Sequence, residues 1–273
     1  MIINSQIWVC AITSLLIFSH ISLGLAFGLF EPRNQSGETK TDTVYVASGV
    51  VDGSFIQPFK VTWKRFPKTA SGKSLASNLI QENVELVDVE DRTLLKFTQV
   101  WKDSTGKTLF TTVRVADHKT LAYQAFHTGG APGGLAHLDF KGNQVSGGYA
   151  PTPEEVMQSI GVILEEPVFA SFSGLLITGF PLKDGYAATF PGFGWGGTTN
   201  PKLNWEHIEV IDSEQINVAG SGKVATWIVK TSRSNGLRYW VTKEPPYFVK
   251  AYSESANGSS ATFEIVEWER IQE

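Results

Sequence analysis

The sequence predicts a mainly β protein: one large curved antiparallel sheet or barrel-like fold with one or two short helices. Three observations carry this. Apolar and polar residues alternate along many short segments, as in Phe59-Lys60-Val61-Thr62-Trp63-Lys64, the period of a strand with one buried face. Hairpin-type turn signals separate such segments, notably Gly142-Asn143, Asn235-Gly236 and Asn257-Gly258, where glycine and asparagine supply the positive φ of tight turns. Only one stretch shows clear helical spacing. About eleven strands with so few helices point to a barrel or a strongly bent sheet.

The elements follow in order. Residues 2–26 hold no Lys, Arg, Asp or Glu, and the apolar run from 7 to 26 ends in Gly24-Leu25-Ala26. This predicts an export signal cleaved after Ala26. Its n-region lacks Lys and Arg, so an uncleaved anchor is the alternative, since about 20 apolar residues cross a bilayer. Residues 27–43 are polar, with Pro32, Asn34 and Gly37, and read as a flexible linker. Residues 44–273 then form a single β-rich domain. Strands are expected at 59–64, 84–86, 95–101 and 109–115, with Asp103-Ser104-Thr105-Gly106 turning between the last two. Others are expected at 120–127, 135–141 and 143–149.

The helical stretch opens at Thr152-Pro153-Glu154-Glu155, which combines an N-cap, a proline at the first helical position and a capping-box Glu. Val156, Met157, Ile160, Ile163 and Leu164 follow at helical spacing, and Pro167 lies beyond. A second short helix is expected over residues 169–179. Strands resume at about 186–190, 205–218, 223–232, 236–243, 247–255 and 261–270.

Composition bounds the function. The net charge is −4 with both signs interspersed. No dense Lys/Arg patch appears, which weighs against nucleic acid as a partner; membrane contact is expected only through the N-terminal segment, if it is retained. The single cysteine, Cys10, lies inside the export segment, so the domain has no thiol nucleophile, disulfide or Cys-based zinc site. Asn34 and Asn257 stand in Asn-x-Ser sequons, which matter only in a glycosylating host.

Three stretches carry a family resemblance. They are Phe180-Pro181-Leu182-Lys183-Asp184-Gly185-Tyr186 with Pro191-Gly192-Phe193, then Thr226-Trp227-Ile228-Val229, then Tyr239-Trp240-Val241-Thr242-Lys243-Glu244-Pro245-Pro246 with Val249-Lys250. In order and spacing they resemble the DUF3108-like group of uncharacterised exported bacterial proteins, most strongly over residues 165–255. The resemblance implies a periplasmic or extracellular location and a sheet curved around short helices, similar to the half-barrels of envelope lipoprotein carriers. It implies no cofactor and no catalytic residue.

Residue patterns for chemistry are sparse. No Gly-x-Ser-x-Gly elbow is present. His118, His127, His137 and His207 each offer a general base without a surrounding motif. His127 and His137 flank a glycine-rich connection, with Asp139 near, but no short ligand pair accompanies them; no metal is expected. Glu154/Glu155 and Glu165/Glu166 bracket the expected helix as surface charge. The aromatics stand out. Phe190, Phe193 and Trp195 sit on a glycine-spaced stretch, 190–197, that reads as a flexible loop: a lid that contacts ligand or a plug that folds inward. Trp63, Trp101, Trp205, Trp227 and Trp240 fall on expected strands. The ligand-binding candidates are Phe190, Phe193, Trp195, Trp227 and Trp240.

The leading functional expectation is a non-enzymatic exported protein that binds an apolar or amphipathic small molecule, or an envelope protein, in the concavity of its sheet. The alternatives are a secreted hydrolase or lyase with a His/carboxylate site, and a structural assembly module.

Overall fold

The computed structural model describes residues 41–130, 134–171, 174–195, 197–218, 221–232, 236–244 and 247–271. The expected export segment and most of the expected linker lie outside the described residues. The last two linker residues form β1 (Asp42–Thr43), and a 3-10 turn follows at Val46–Ser48. Then come β2 (Phe59–Lys68), β3 (Asn78–Val89), β4 (Arg92–Lys102), β5 (Thr108–Asp117), β6 (Tyr123–Gly130), β7 (Gly134–Lys141), β8 (Gln144–Ala150) and β9 (Gln158–Ile163). A one-turn helix, α1 (Leu175–Thr178), precedes β10 (Ala187–Gly194), β11 (Lys202–Val218), β12 (Gly222–Thr231), β13 (Arg238–Thr242), β14 (Phe248–Glu254) and β15 (Ser260–Arg270).

Among the described residues these 15 strands form one sheet, in the order β1-β10-β11-β12-β13-β14-β15-β2-β3-β4-β5-β6-β7-β8-β9. Two antiparallel meanders, β2–β9 and β10–β15, are thus joined where β15 pairs with β2. Only β1 pairs parallel, with β10. The expected count of about eleven strands was low; of the 15, two-residue β1 and edge strand β9, whose segment carries helix-start signals, match none of the strand segments expected from the sequence. The sheet is not closed, but it curls. Register shifts at Trp101/Lys102, Val115/Ala116, Val210/Asp212, Trp240/Val241 and Ile265/Glu267 each add local bend and twist. Consequently Phe193 of β10 packs edge-on against Phe140 of β7 at 4.9 Å and Tyr123 of β6 at 5.7 Å, though those strands lie far apart in the sheet order.

A non-strand segment stitches this seam. The Phe169 N–H donates to the Pro191 carbonyl at 3.0 Å, Ala170 N–H to Leu121 at 2.9 Å, and Tyr123 N–H to Val168 at 3.0 Å. Phe169 is wholly buried and meets Phe190 edge-on at 5.9 Å and Phe180 at 6.2 Å. Leu175, Leu176 and Ile177 of α1 are buried as well, so this connection fills part of the concavity with its own apolar side chains. From the other side, Gly53 N–H donates to the Lys119 carbonyl at 2.8 Å. A Cβ on Gly53 would lie 2.2 Å from the His118 carbonyl oxygen and 2.5 Å from Leu121. Gly53→Ala is therefore expected to cost about 2 kcal/mol through overpacking, read as a drop in melting temperature of roughly 5 °C.

Three expectations are corrected. Residues 152–164 are not a helix. Thr152–Glu155 makes only a turn, with Glu155 N–H to the Thr152 carbonyl at 3.2 Å, and the rest is edge strand β9 paired with β8. Ile160 and Leu164 are buried while Ile163 is 75% exposed; Ile160, Val162 and Leu164 fit a period of two as well as the apolar set fits 3.6. Mid-segment Gly161 and the β-branched neighbours favour the strand, and an open edge of β8 was there to be paired. The expected helix over 169–179 shrinks to the four residues of α1.

The third correction concerns 190–197. Residues 190–194 are not a loop but the buried half of β10, paired with β11 from Phe190↔Glu206 to Gly194↔Lys202. Gly192 and Gly194 are there for space: a Cβ on either would collide with the side chains of Glu206 or Asn204. Gly196 lies outside the described residues.

Candidate functional site

Two depressions on the core-bearing face of the sheet combine apolar walls with charged groups. The first is a pocket of about 210 Å³ whose walls include Trp63, Trp101, Tyr239, Phe248, Phe263 and Glu82. The alternation of β3 places Glu82 between Ile80 and Val84 on the inward side, and that of β4 places Gln99 between Phe97 and Trp101. Glu82 is 4% exposed, and its carboxylate accepts hydrogen bonds from Trp63 Nε1 at 2.7 Å and Gln99 Nε2 at 2.6 Å. Gln99 Oε1 in turn accepts from Trp101 Nε1 at 2.9 Å. Burial pushes the Glu82 carboxyl up to about 7, against the opposing pull of the Gln99 and Trp63 hydrogen bonds and the more distant Arg114 charge. Arg114 is inward too. Its Nη1 donates to Thr112 Oγ1 at 3.0 Å, its guanidinium lies 5.9 Å from the Phe97 ring centre and 5.8 Å from that of Phe126, and its buried Nε has no hydrogen-bond partner.

The second depression is an open groove of about 730 Å³ at one end of the same face. Ile265 pairs with Trp63, and Trp268 with Val61, so both groove residues share the inward side. Val218, Val249, Ile265 and Trp268 give it an apolar floor, while Lys223, Lys243 and Arg270 stand at its rim beside, among the described residues, a single acid, Glu244. Trp268 is fixed by stacking on Phe59 at 4.5 Å and contact with Tyr247 at 4.7 Å. Burial raises the Tyr247 hydroxyl above its ordinary range, partly offset by hydrogen bonds its oxygen accepts from the Gln57 backbone and the Arg270 side chain and by the Arg270 charge.

The sequence candidates do not converge on one place. Phe190 and Phe193 are 2% and 6% exposed and belong to the core. Trp195 is half-buried, edge-on to Phe126 at 5.3 Å and Tyr149 at 5.4 Å, with its indole N–H donating to the Thr198 carbonyl at 2.8 Å. Trp227 faces inward, the Lys243 ammonium 3.6 Å from its ring centre, and lines a pocket of about 180 Å³ with Phe55, Phe180 and Leu182. Trp240 pairs with Ile228, the neighbour of Trp227, and therefore points to the opposite face. There its indole N–H donates to Glu214 and the Lys250 ammonium lies 4.6 Å from its ring centre. Trp205, on a strand as expected, is 43% exposed and touches Tyr45 edge-on at 5.8 Å.

The histidines are dispersed. His118 Nε2 bonds the Ile56 carbonyl at 3.0 Å, and His207 Nδ1 faces Thr189 Oγ1 at 3.3 Å. His127 and His137 pair across β6 and β7, rings 6.4 Å apart, on the exposed side. Among the described residues none of the four hydrogen-bonds a carboxylate, no cluster of three or more His, Cys, Asp or Glu could hold a metal, and no helix is long and apolar enough to cross a membrane.

The family described as "Protein of unknown function (DUF3108)" matches residues 58–266. The chain belongs to the DUF3108 family. The match extends the resemblance read over 165–255 upstream to β2, and it contains the whole aromatic pocket and all of the named groove residues except Trp268 and Arg270. No curated protein matches this DUF3108 chain. Among solved structures it is similar to a β-barrel-like DUF1849 protein from Brucella abortus, with 8% identity and a TM-score of 0.42, covering 80% of this chain and 99% of that one. It is also similar to a candidate exported protein with a YmcC-like fold from Bacteroides fragilis, with 11% identity and a TM-score of 0.35, covering 81% and 100%. A third, a candidate lipoprotein from Parabacteroides distasonis, has 12% identity and a TM-score of 0.31, covering 84% and 100%.

Proposed function

We propose that this DUF3108 chain is an exported, non-enzymatic binding protein that holds an amphipathic molecule with an acidic end in the groove of its concave face. The observation that carries this is the groove itself. Its volume of about 730 Å³ falls within the roughly 300–1,000 Å³ usual for ligand pockets, whereas the aromatic pocket lies below that range. An apolar chain laid on Val218, Val249, Ile265 and Trp268 would lose its hydration, and the three rim cations suit a carboxylate or phosphate end. Export rests on the apolar, charge-free residues 2–26.

The test is calorimetric titration with dodecanoate and with dodecanol. Dodecanoate is expected to bind saturably and more tightly than the alcohol. Lys243→Ala with Arg270→Ala should weaken it about tenfold and erase the preference, since each rim charge is worth up to about 1 kcal/mol. Absence of saturable binding, or affinity unchanged when Val249→Glu places a charge on the partly buried floor, overturns the reading.

A further inference from the structure

The aromatic pocket is separate from the groove, and its occupant is independent of the groove's ligand. We infer that the pocket around Glu82 binds a small organic ammonium ion, its positive end against the Glu82 carboxylate and its alkyl groups against the rings of Trp63, Trp101, Tyr239 and Phe263.

Charge points there first. Glu82 is a buried carboxylate whose two hydrogen-bond donors, Trp63 and Gln99, are both neutral. Among the described residues it makes no ion pair: Arg114, the one cation acting on it, is held at Thr112 and between the Phe97 and Phe126 rings. An ionised carboxylate without a close counter-charge is expensive in an apolar interior. A ligand that brings the missing charge recovers that cost on binding.

The walls suit the same ligand. Aromatic faces carry negative potential and attract cations, quaternary ammonium groups most characteristically. Trp63 stacks on Phe248 at 4.7 Å with the planes 7° apart, and Tyr239 meets Phe248 edge-on at 5.6 Å. The rings therefore support one another and present fixed surfaces, which limits the entropy lost when a ligand enters.

Size and access agree. A pocket of about 210 Å³ matches the liquid volume of about seven waters at roughly 30 Å³ each. That suits a compact ammonium group and excludes a whole lipid. Trp101, Phe263 and Ser253 are only half-buried, so the pocket reaches solvent on their side. A metal ion is a poor occupant, since among the described residues Glu82 is the only carboxylate on the wall and no His lines it.

The experiment compares choline with its uncharged carbon isostere, 3,3-dimethylbutanol, by NMR titration of the indole N–H signals of Trp63 and Trp101. Near pH 8.5, choline is expected to bind at least about tenfold more tightly, a difference of about 1.4 kcal/mol. In Glu82→Gln the two ligands should bind within about twofold of each other. The same loss of preference is expected for the unmodified protein near pH 5, where Glu82 holds a proton, so the result does not depend on the variant's folding. Equal affinity for the two ligands at the higher pH would make the pocket merely apolar and overturn the inference. So would choline binding that survives both Glu82→Gln and acid, or no shift of either indole signal with choline.

Discussion

Phe169→Ala is expected to lower the unfolding free energy by about 3–5 kcal/mol, the range for truncating a fully packed phenylalanine. The ring is wholly buried between Phe180 and Phe190, and the backbone on either side carries the hydrogen bonds that hold β10 to the entrance of β6. Those bonds are main-chain and survive the substitution, so the loss is that of a cavity at a seam with no strand ladder across it. Urea denaturation should show an earlier midpoint with an unchanged slope. Hydrogen exchange should show the amides of β10 and of residues 168–170 opening ahead of the rest of the sheet. Val156→Ala, at a side chain 86% exposed, is the matched control and should change stability by less than about 0.5 kcal/mol. A Phe169→Ala loss no larger than that of the control would mean the segment does not hold the seam.

The second large effect is a dependence on pH. Glu82 titrates at about 7 in the folded protein against 4.5 when unperturbed. Between those values the folded state binds a proton that the unfolded state has released, so stability falls as pH rises. Its contribution is fully present below about 4.5, declines through 7 and levels off above, for a total of about 3 kcal/mol. The groups facing the carboxyl are Trp63 on β2, Gln99 on β4 and, farther off on β5, Arg114, of which only Arg114 is charged. Asp52 has the opposite sign: its carboxyl is held below the ordinary value mainly by a hydrogen bond from Ser54, so its contribution is lost as pH falls. Comparison with Glu82→Gln separates the two. The difference in unfolding free energy between the proteins should shift in favour of the variant by about 3 kcal/mol from pH 4.5 to pH 8. At acid pH the variant should be slightly the less stable. The introduced amide has one oxygen to accept from both Trp63 and Gln99, where the native carboxyl has an oxygen for each. A constant difference across that range contradicts the buried-carboxyl account.

The strands were legible wherever one face is buried and the other wet, as in Phe59, Val61 and Trp63 of β2. Legibility failed where local signals conflict. Thr152–Glu155 carries real N-terminal helix chemistry, but the segment behind it joins an unsatisfied sheet edge, a long-range fact that no window of sequence contains. Phe190 to Gly194 read as a loop because of its glycines; it is a strand because it pairs with β11 from Phe190↔Glu206 to Gly194↔Lys202, and the glycines leave room for the Glu206 and Asn204 side chains. The aromatic pocket had an overlooked signal: Glu82 occupies an inward phase between Ile80 and Val84, as Gln99 does between Phe97 and Trp101. A charged or polar residue in the apolar phase of a strand marks a buried polar site. The groove had no such signal, because its floor and rim come from β11, β12, β14 and β15 and meet only through the register of the folded sheet. For the same reason the sequence offers both Trp227 and Trp240 as ligand-binding candidates, although the β12–β13 pairing sends them to opposite faces.

On the function proposed here, the concave groove holds an acidic amphiphile. The decisive measurement is native mass spectrometry of the protein, purified from its native host without detergent. A fraction should carry one added acidic lipid or fatty acid, and Val249→Glu, at a partly buried groove residue, should remove that adduct while leaving the folded charge-state distribution intact. A wholly unliganded spectrum that stays so after incubation with dodecanoate would contradict it.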